Sequence, residues 1–304
     1  MTTFSDKIQD LVGNGKASTA ALTKLSDLES EERAELGEAW PALPIEQRRR
    51  IAGSLVTLGE DNIELDFRQV FLMMLEDTDA QVRLSAIEGL YEDESRVLLL
   101  KLLGMLKSDP DAEVRETVAK AMIRFTLLAE CDRLGSQTGT LRDALMAAAT
   151  DTEESSDVRR RAVEALGNYH DDLEVRNLIS ESYSRGGKPA ESAVFAMGRS
   201  MDPYWQQVVM GELESDRASM RYEAARAAGE MTLEDALPFL VRMVEDSDTE
   251  VRLAVIGALG QIGGKPAAEA LAPLLKGKES AMREAAREAM SEITFAASPM
   301  SPKF

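Results

Sequence analysis

Residues 246–266, DSDTEVRLAVIGALGQIGGKP, hold the period on which the chain is built. Ser247 and Glu250 stand in the Ser-x-x-Glu spacing, at which a hydroxyl and a carboxylate satisfy the free amides of a helix start. Val251, Val255, Ala258, Leu259 and Ile262 then recur at steps of three and four, which places them on one helix face. Gly263-Gly264 ends that helix, and Pro266 suits the first turn of the next, where its missing N–H removes no bond.

Sliding this template along the chain finds counterparts of Val251 at Val158, Pro189, Met220 and Met282, each 31 residues from the next. Four and seven residues after each marker stand small side chains: Ala162 and Ala165, Ala193 and Ala196, Ala224 and Ala227, Ala286 and Ala289, with Val255 the one larger exception. Nine after come Gly167, Gly198, Gly229 and Gly260, so neighbouring helices can approach closely. The signature continues upstream at Val82-Arg83 and Val114-Arg115, and a unit with Arg48 near the marker precedes them. The longer step from Val114 to Val158 places an insertion near 131–150. A second amphipathic segment lies between successive markers, as in ESRVLLLKLLGMLKSD, so each unit is a helix hairpin that buries its apolar face only by stacking. The reading divides the chain into an N-terminal cap over 1–29, with Ser26-Asp27-Leu28-Glu29 as a helix-start signal, a solenoid over 30–294 and a flexible tail over 295–304.

Composition narrows the function. The net charge of −19, from 54 acidic against 35 basic residues, opposes binding to nucleic acid or anionic lipid. His170 is the only histidine and Cys131 the only cysteine, so no zinc spacing and no internal disulfide exist. Cys131 is expected to be a buried or inert thiol and His170 a surface or helix-terminal residue. The first fifteen residues lack the pattern of a secretion signal, and no run of about 18 apolar residues occurs, which predicts a cytoplasmic protein. No phosphate-binding glycine loop of the Walker type and no Gly-x-Ser-x-Gly occurs, so neither catalytic residues nor cofactors are expected.

The pattern Asp, five residues to Val, then Arg, in Asp77/Val82/Arg83, Asp109/Val114/Arg115 and Asp246/Val251/Arg252, resembles the HEAT repeat of the armadillo-type α-solenoids, especially the short bacterial form of phycobilisome-lyase-like proteins. The resemblance implies an all-α fold, a right-handed α-α superhelix of about eight helix hairpins. It departs from the family at Pro189-Ala190, where the Arg is missing, and at Glu153, Ser215 and Gly277, which stand where the turn Asp belongs. The recurring Asp and Arg are read as a structural ladder, each Arg fork binding its own turn Asp or the one in the next unit, so Arg252→Ala destabilises rather than disarms. The resemblance also implies that marker helices line a concave wall. Phe195, Arg199, Trp205, Tyr222 and Arg226 fall in adjacent units and form the candidate protein-binding patch, in a chain with only 5% aromatics. Trp205 and its neighbour Tyr204 could equally fill a hairpin core.

These features point to a non-enzymatic adaptor or assembly scaffold for a protein partner with basic side chains, without nucleic acid or membrane. The alternative implied by the resemblance is a bilin lyase/isomerase-like chaperone enzyme, with Arg161, Arg199 and Arg226 facing the pigment's propionates. A resemblance to deoxyhypusine hydroxylase would demand several His-Glu pairs for iron, and His170 precedes Asp171.

Overall fold

The computed structural model describes residues 18–296, of which Ala296 only as backbone. Of the expected cap over 1–29 and tail over 295–304, residues 1–17 and 297–304 lie outside the described residues. After a single turn at Thr19–Leu22, sixteen helices follow, and no strand occurs among the described residues. They are α1 (Ser30–Ala39), α2 (Ile45–Asp61), α3 (Arg68–Met74), α4 (Ala80–Gly89), α5 (Arg96–Ser108), α6 (Ala112–Glu130), α7 (Gln137–Thr150) and α8 (Ser156–Leu166). Then come α9 (Leu173–Ser184), α10 (Gly187–Ser200), α11 (Gln206–Glu212), α12 (Ala218–Glu230), α13 (Leu237–Met243), α14 (Thr249–Ile262), α15 (Gly264–Leu271) and α16 (Ser280–Ala296). Every even-numbered helix from α4 onward carries a marker, and each odd-numbered helix is the preceding arm of its hairpin. The protein is an all-α solenoid of helix hairpins. Among the described residues no helix is long and apolar enough to cross a membrane.

The described residues form two compact units, 18–128 with 152–158, and 129–151 with 159–296. In the second unit, α9 packs on α10, α11 on α12, α13 on α14 and α15 on α16, while α10, α12, α14 and α16 stack in succession. The small residues four and seven after each marker are buried in this stack, from Ala162 and Ala165 through Ala286 and Ala289. The glycines nine after the marker set the helix separation. A Cβ at Gly198 would lie 2.7 Å from the Cα of Ala227, one at Gly229 2.8 Å from that of Ala258, and one at Gly260 2.8 Å from that of Ala289. Backbone therefore rests on backbone at each step. In the first unit α1 packs on α3, α3 on α4 and α2 on α4. There the core is filled by larger side chains, among them Leu98, Leu102, Val118, Met122 and Phe125.

Turn chemistry follows an Asp-x-Asp pattern with divided labour. The first Asp accepts the next unit-to-unit bond, and the second caps the helix. Asp246 Oδ1 accepts the amide of Asp248 at 2.9 Å, while Asp248 accepts those of Glu250 and Val251 at 2.9 and 3.2 Å. Asp109 and Asp111 do the same before α6. The expected Ser247 cap is thus corrected to Asp248, whose carboxylate is the stronger acceptor for two amides at the positive end of the helix. Likewise α1 starts at Ser30 with Glu29 as its cap, not at Ser26, whose hydroxyl bonds Asp27. On α14, Ile256 is buried with the expected face, while Ile262 is half-exposed. Gly263, at φ 73°, takes the left-handed turn that ends α14. The added length near 131–150 is not a loop: α6 is lengthened to 19 residues, and 137–150 is the ordinary odd-numbered arm α7.

The Asp–Arg ladder runs forward along the chain. Arg48 donates to Asp77 at 2.6 and 2.7 Å, and Trp40 Nε1 donates to the same carboxylate at 2.6 Å. Arg83 forks onto Asp109 at 2.7 and 2.8 Å and also holds the carbonyl of Asp77, in its own turn, at 2.8 Å. Arg115 forks onto Glu154, beside the expected Glu153, and Arg221 onto Asp246. Arg252 reaches Glu279 in place of Gly277. Ala190 and Ser215, which lack the Arg and the Asp, are the two ends of one and the same rung.

Two sets of variants test these forces. Gly198→Ala is expected to lower unfolding stability by about 1–3 kcal/mol, because overpacking exceeds the helix-propensity gain. Gly257→Ala, whose Cβ meets no atom within 4 Å, is expected to raise it by roughly 0.5–1 kcal/mol in the same urea titration. Arg83→Ala leaves Asp109, 8% exposed, without its fork and is expected to cost about 3–5 kcal/mol. Arg252→Ala, whose partner Glu279 has a 62% exposed side chain, is expected to cost under about 1 kcal/mol. Equal losses for the two arginines would contradict a burial-controlled ladder.

Candidate functional site

The even-numbered helices of the second unit present the residues two, three, six and ten after each marker on one face. On α10 and α12 these include Phe195, Arg199, Tyr222, Glu223, Arg226 and Glu230. The guanidinium of Arg226 lies 4.9 Å from the centre of the Phe195 ring and 5.9 Å from that of Tyr222. Its two terminal nitrogens donate to Glu223 at 3.3 Å and to Glu230 at 3.1 Å, and Arg199 stands 3.8 Å from the same Glu230 carboxylate. A cation between two rings, held by two carboxylates, is a stiff arrangement. Phe195, Arg199, Tyr222 and Arg226 all remain half-exposed.

The structure brings those four expected residues together and separates the fifth. Trp205 is 3% exposed and sits edge-on to Tyr204, with ring centres 4.7 Å apart. It is a core residue of the α11/α12 hairpin, and its indole has no surface to offer a partner. Tyr204 is the exposed member of the pair, with the Arg176 guanidinium 5.2 Å from its ring.

Beside the cluster a hollow of about 300 Å³ opens between α12 and α14. Tyr222, Arg226 and Glu230 line one side, and Glu250, Leu253, Ala254 and Gly257 the other. It exists because Gly257 stands where Phe195 and Arg226 stand in their own units. On the other flank Glu164 is 5% exposed and is held by Arg161 at 2.8 Å, Ser192 at 2.6 Å and Arg160 at 3.4 Å. Arg161, Arg199 and Arg226, the cations expected for bilin propionates, each therefore face a carboxylate of the protein itself.

Three features escaped the sequence reading. Glu223 is a carboxyl pushed up to about 7 by burial, which the Arg226 charge opposes and repulsion from Glu164, Glu191 and Glu230 reinforces. The residue ten after each marker is polar in every unit of the stack, Asn168, Arg199, Glu230, Gln261 and Glu292, and this regularity was the available signal. A second ladder joins odd-numbered arms to the following turn, Arg142 to Asp172 at 2.9 Å and Arg176 to Asp202 at 2.7 Å. Cys131, expected to be a buried or inert thiol, is exposed rather than buried, because it begins the turn after α6. His170 is exposed, its Nδ1 2.9 Å from Glu130.

Fold and face define an α-solenoid of helix hairpins. Residues 207–291 match the family model of HEAT repeats, and that part of the chain is a HEAT-repeat array. No curated protein matches the chain by sequence. Among solved structures, the CpcE–CpcF complex of phycocyanin lyase from Nostoc sp. PCC7120 is similar at 20% identity and a TM-score of 0.57, over 76% of this chain and 90% of that one. A Kap95p structure, described as inducing the GTP-bound conformation of the switch loops of RanGDP, is similar at 13% identity and a TM-score of 0.50, over 96% of this chain and 46% of that one. Human deoxyhypusine hydroxylase, at 18% identity over 80% of this chain and 98% of that one, has a TM-score of 0.34. At these identities the likeness is one of fold.

Because the folded protein keeps a proton on Glu223 that the unfolded chain releases, stability is expected to fall as pH rises from about 4.5 through about 7. Glu223→Gln is expected to flatten that slope in urea titrations across the same window. An unchanged slope would place the shifted proton elsewhere.

Proposed function

We propose that the chain is a non-enzymatic, cytoplasmic adaptor or assembly scaffold that binds a protein through the even-helix face of its second unit. The observation that carries this reading is the Arg226 cluster: two rings and a guanidinium, pre-ordered and half-exposed, beside an open hollow. Aromatic and arginine side chains fixed before binding lose little entropy on association, and these are the residue types that dominate interface energetics. Stacked hairpins supply a continuous wall on which such anchors can lie. Two solved structures of similar fold are protein complexes, CpcE with CpcF and Kap95p with RanGDP, and they support it to that extent.

The bilin-handling alternative draws on the phycocyanin lyase similarity. Against it, the three candidate cations already face Glu164, Glu223 and Glu230, so a propionate must compete with carboxylates fixed in place. Photo-crosslinking and capture from native lysate, comparing the wild-type protein with Phe195→Ala/Tyr222→Ala, tests the proposal. The expected result is loss of the captured protein with an unchanged melting curve. An identical set of captured proteins, or an absorbance shift on adding a bilin, would overturn it.

A further inference from the structure

The position six after the marker carries Phe195 on α10, Arg226 on α12 and Gly257 on α14. Between the first two helices the protein has filled its own groove: Arg226 covers Phe195, and Glu223 and Glu230 hold the fork. One unit further on the same groove is bare. Gly257 offers no side chain, and a Cβ built there meets nothing within 4 Å. The resulting hollow of about 300 Å³ is at the small end of ligand-sized cavities, about 300–1,000 Å³, so it suits one long side chain rather than a chain segment.

Its chemistry is that of an arginine receptor. The floor of Leu253, Ala254 and Gly257 is apolar, Tyr222 gives an aromatic wall, and carboxylates enter from two helices, Glu230 on α12 and Glu250 on α14. The single cation in the lining, Arg226, is already engaged by Glu223 and Glu230. Glu284, Glu288 and Glu292, two, six and ten after the marker Met282, are exposed on α16, and they extend the negative potential beyond the hollow. An anion meets net repulsion here. A guanidinium on an alkyl stem matches the apolar floor, the ring and the two carboxylates, and its planar fork can serve both carboxylates at once where an ammonium cannot.

We propose that the hollow at Gly257 is a docking pocket for an arginine side chain of the partner protein, its stem over Leu253, Ala254 and Gly257 and its guanidinium between Glu230 and Glu250. The proposal rests on the partner-binding reading and gives that partner its chemistry: a segment presenting arginine beside apolar residues that meet Phe195 and Tyr222.

The probe is N-acetyl-arginine amide, titrated to roughly tens of millimolar, the range of a weak single-side-chain contact, while methyl NMR follows Ala254 and Leu253. The expected result is a saturable shift of both, absent with the citrulline analogue, smaller with the lysine analogue and reduced by salt. Gly257→Arg, which fills the pocket from within, is expected to abolish the shift, while Gly257→Ala retains it. Glu250→Gln is expected to weaken the response by about threefold or more, as loss of one charge-assisted contact does. Silent Ala254 and Leu253 methyls in the wild-type protein, an equal response to citrulline or lysine, or a response surviving in Gly257→Arg would each overturn the pocket. Lysate capture separates the two readings: a protein captured by the wild type, retained by Gly257→Arg and lost in Phe195→Ala/Tyr222→Ala leaves the binding face standing and removes the pocket. Loss of capture in Gly257→Arg, with the melting curve of Gly257→Ala, supports both.

Discussion

The stack of the second unit depends on one steric constraint, repeated every 31 residues: a glycine nine after the marker lying against the backbone of the next unit's alanine. No side chain can be inserted there without moving a helix, since the distances from a built Cβ to the facing Cα are 2.7–2.8 Å at Gly198, Gly229 and Gly260. Close backbone approach brings the inner faces of neighbouring helices into van der Waals range. A core made mostly of alanine can then be cohesive although each alanine buries little area. The same approach aligns the positions two, three, six and ten after the marker on one face, so packing geometry and binding face have one origin.

Electrostatics adds direction to this stack. An arginine in one unit binds a carboxylate in the next, at Arg83–Asp109 and Arg221–Asp246, and a second series joins the odd-numbered arms at Arg142–Asp172 and Arg176–Asp202. The two series lie at different turns of the hairpin, one between its arms and one between hairpins. Where the first series lapses at Ala190 and Ser215, both partners are missing, so neither a lone guanidinium nor a lone carboxylate is left near the core. Half of a buried pair costs more than none. The Arg176–Asp202 bond of the second series serves the same junction.

Repeat length, helix pattern and hairpin number were legible because small residues at fixed intervals admit few packings. The local caps were less so: Ser247-x-x-Glu250 and Asp248-x-x-Val251 overlap, and the carboxylate prevailed. The patch was legible in part. Phe195 and Arg226 shared a register position, which fixed them on one face, while Trp205 lay in a turn and a short helical segment outside the repeat register, and it was drawn into the core. The raised pKa of Glu223 was beyond reach, since it comes first from burial, with repulsion from Glu164 and Glu191 on two other helices adding to it. The hollow was invisible for a simpler reason, that a glycine announces what it permits only when its neighbours are placed.

The forward sense of the first ladder bears on how the chain is made. Arg83 finds its carboxylate 26 residues later, and Arg221 finds its own 25 later. On a ribosome moving at about 5–20 residues per second, each guanidinium emerges roughly one to five seconds before the group that neutralises it. Each hairpin that carries such an arginine thus leaves the ribosome before the carboxylate that completes it, which its successor brings.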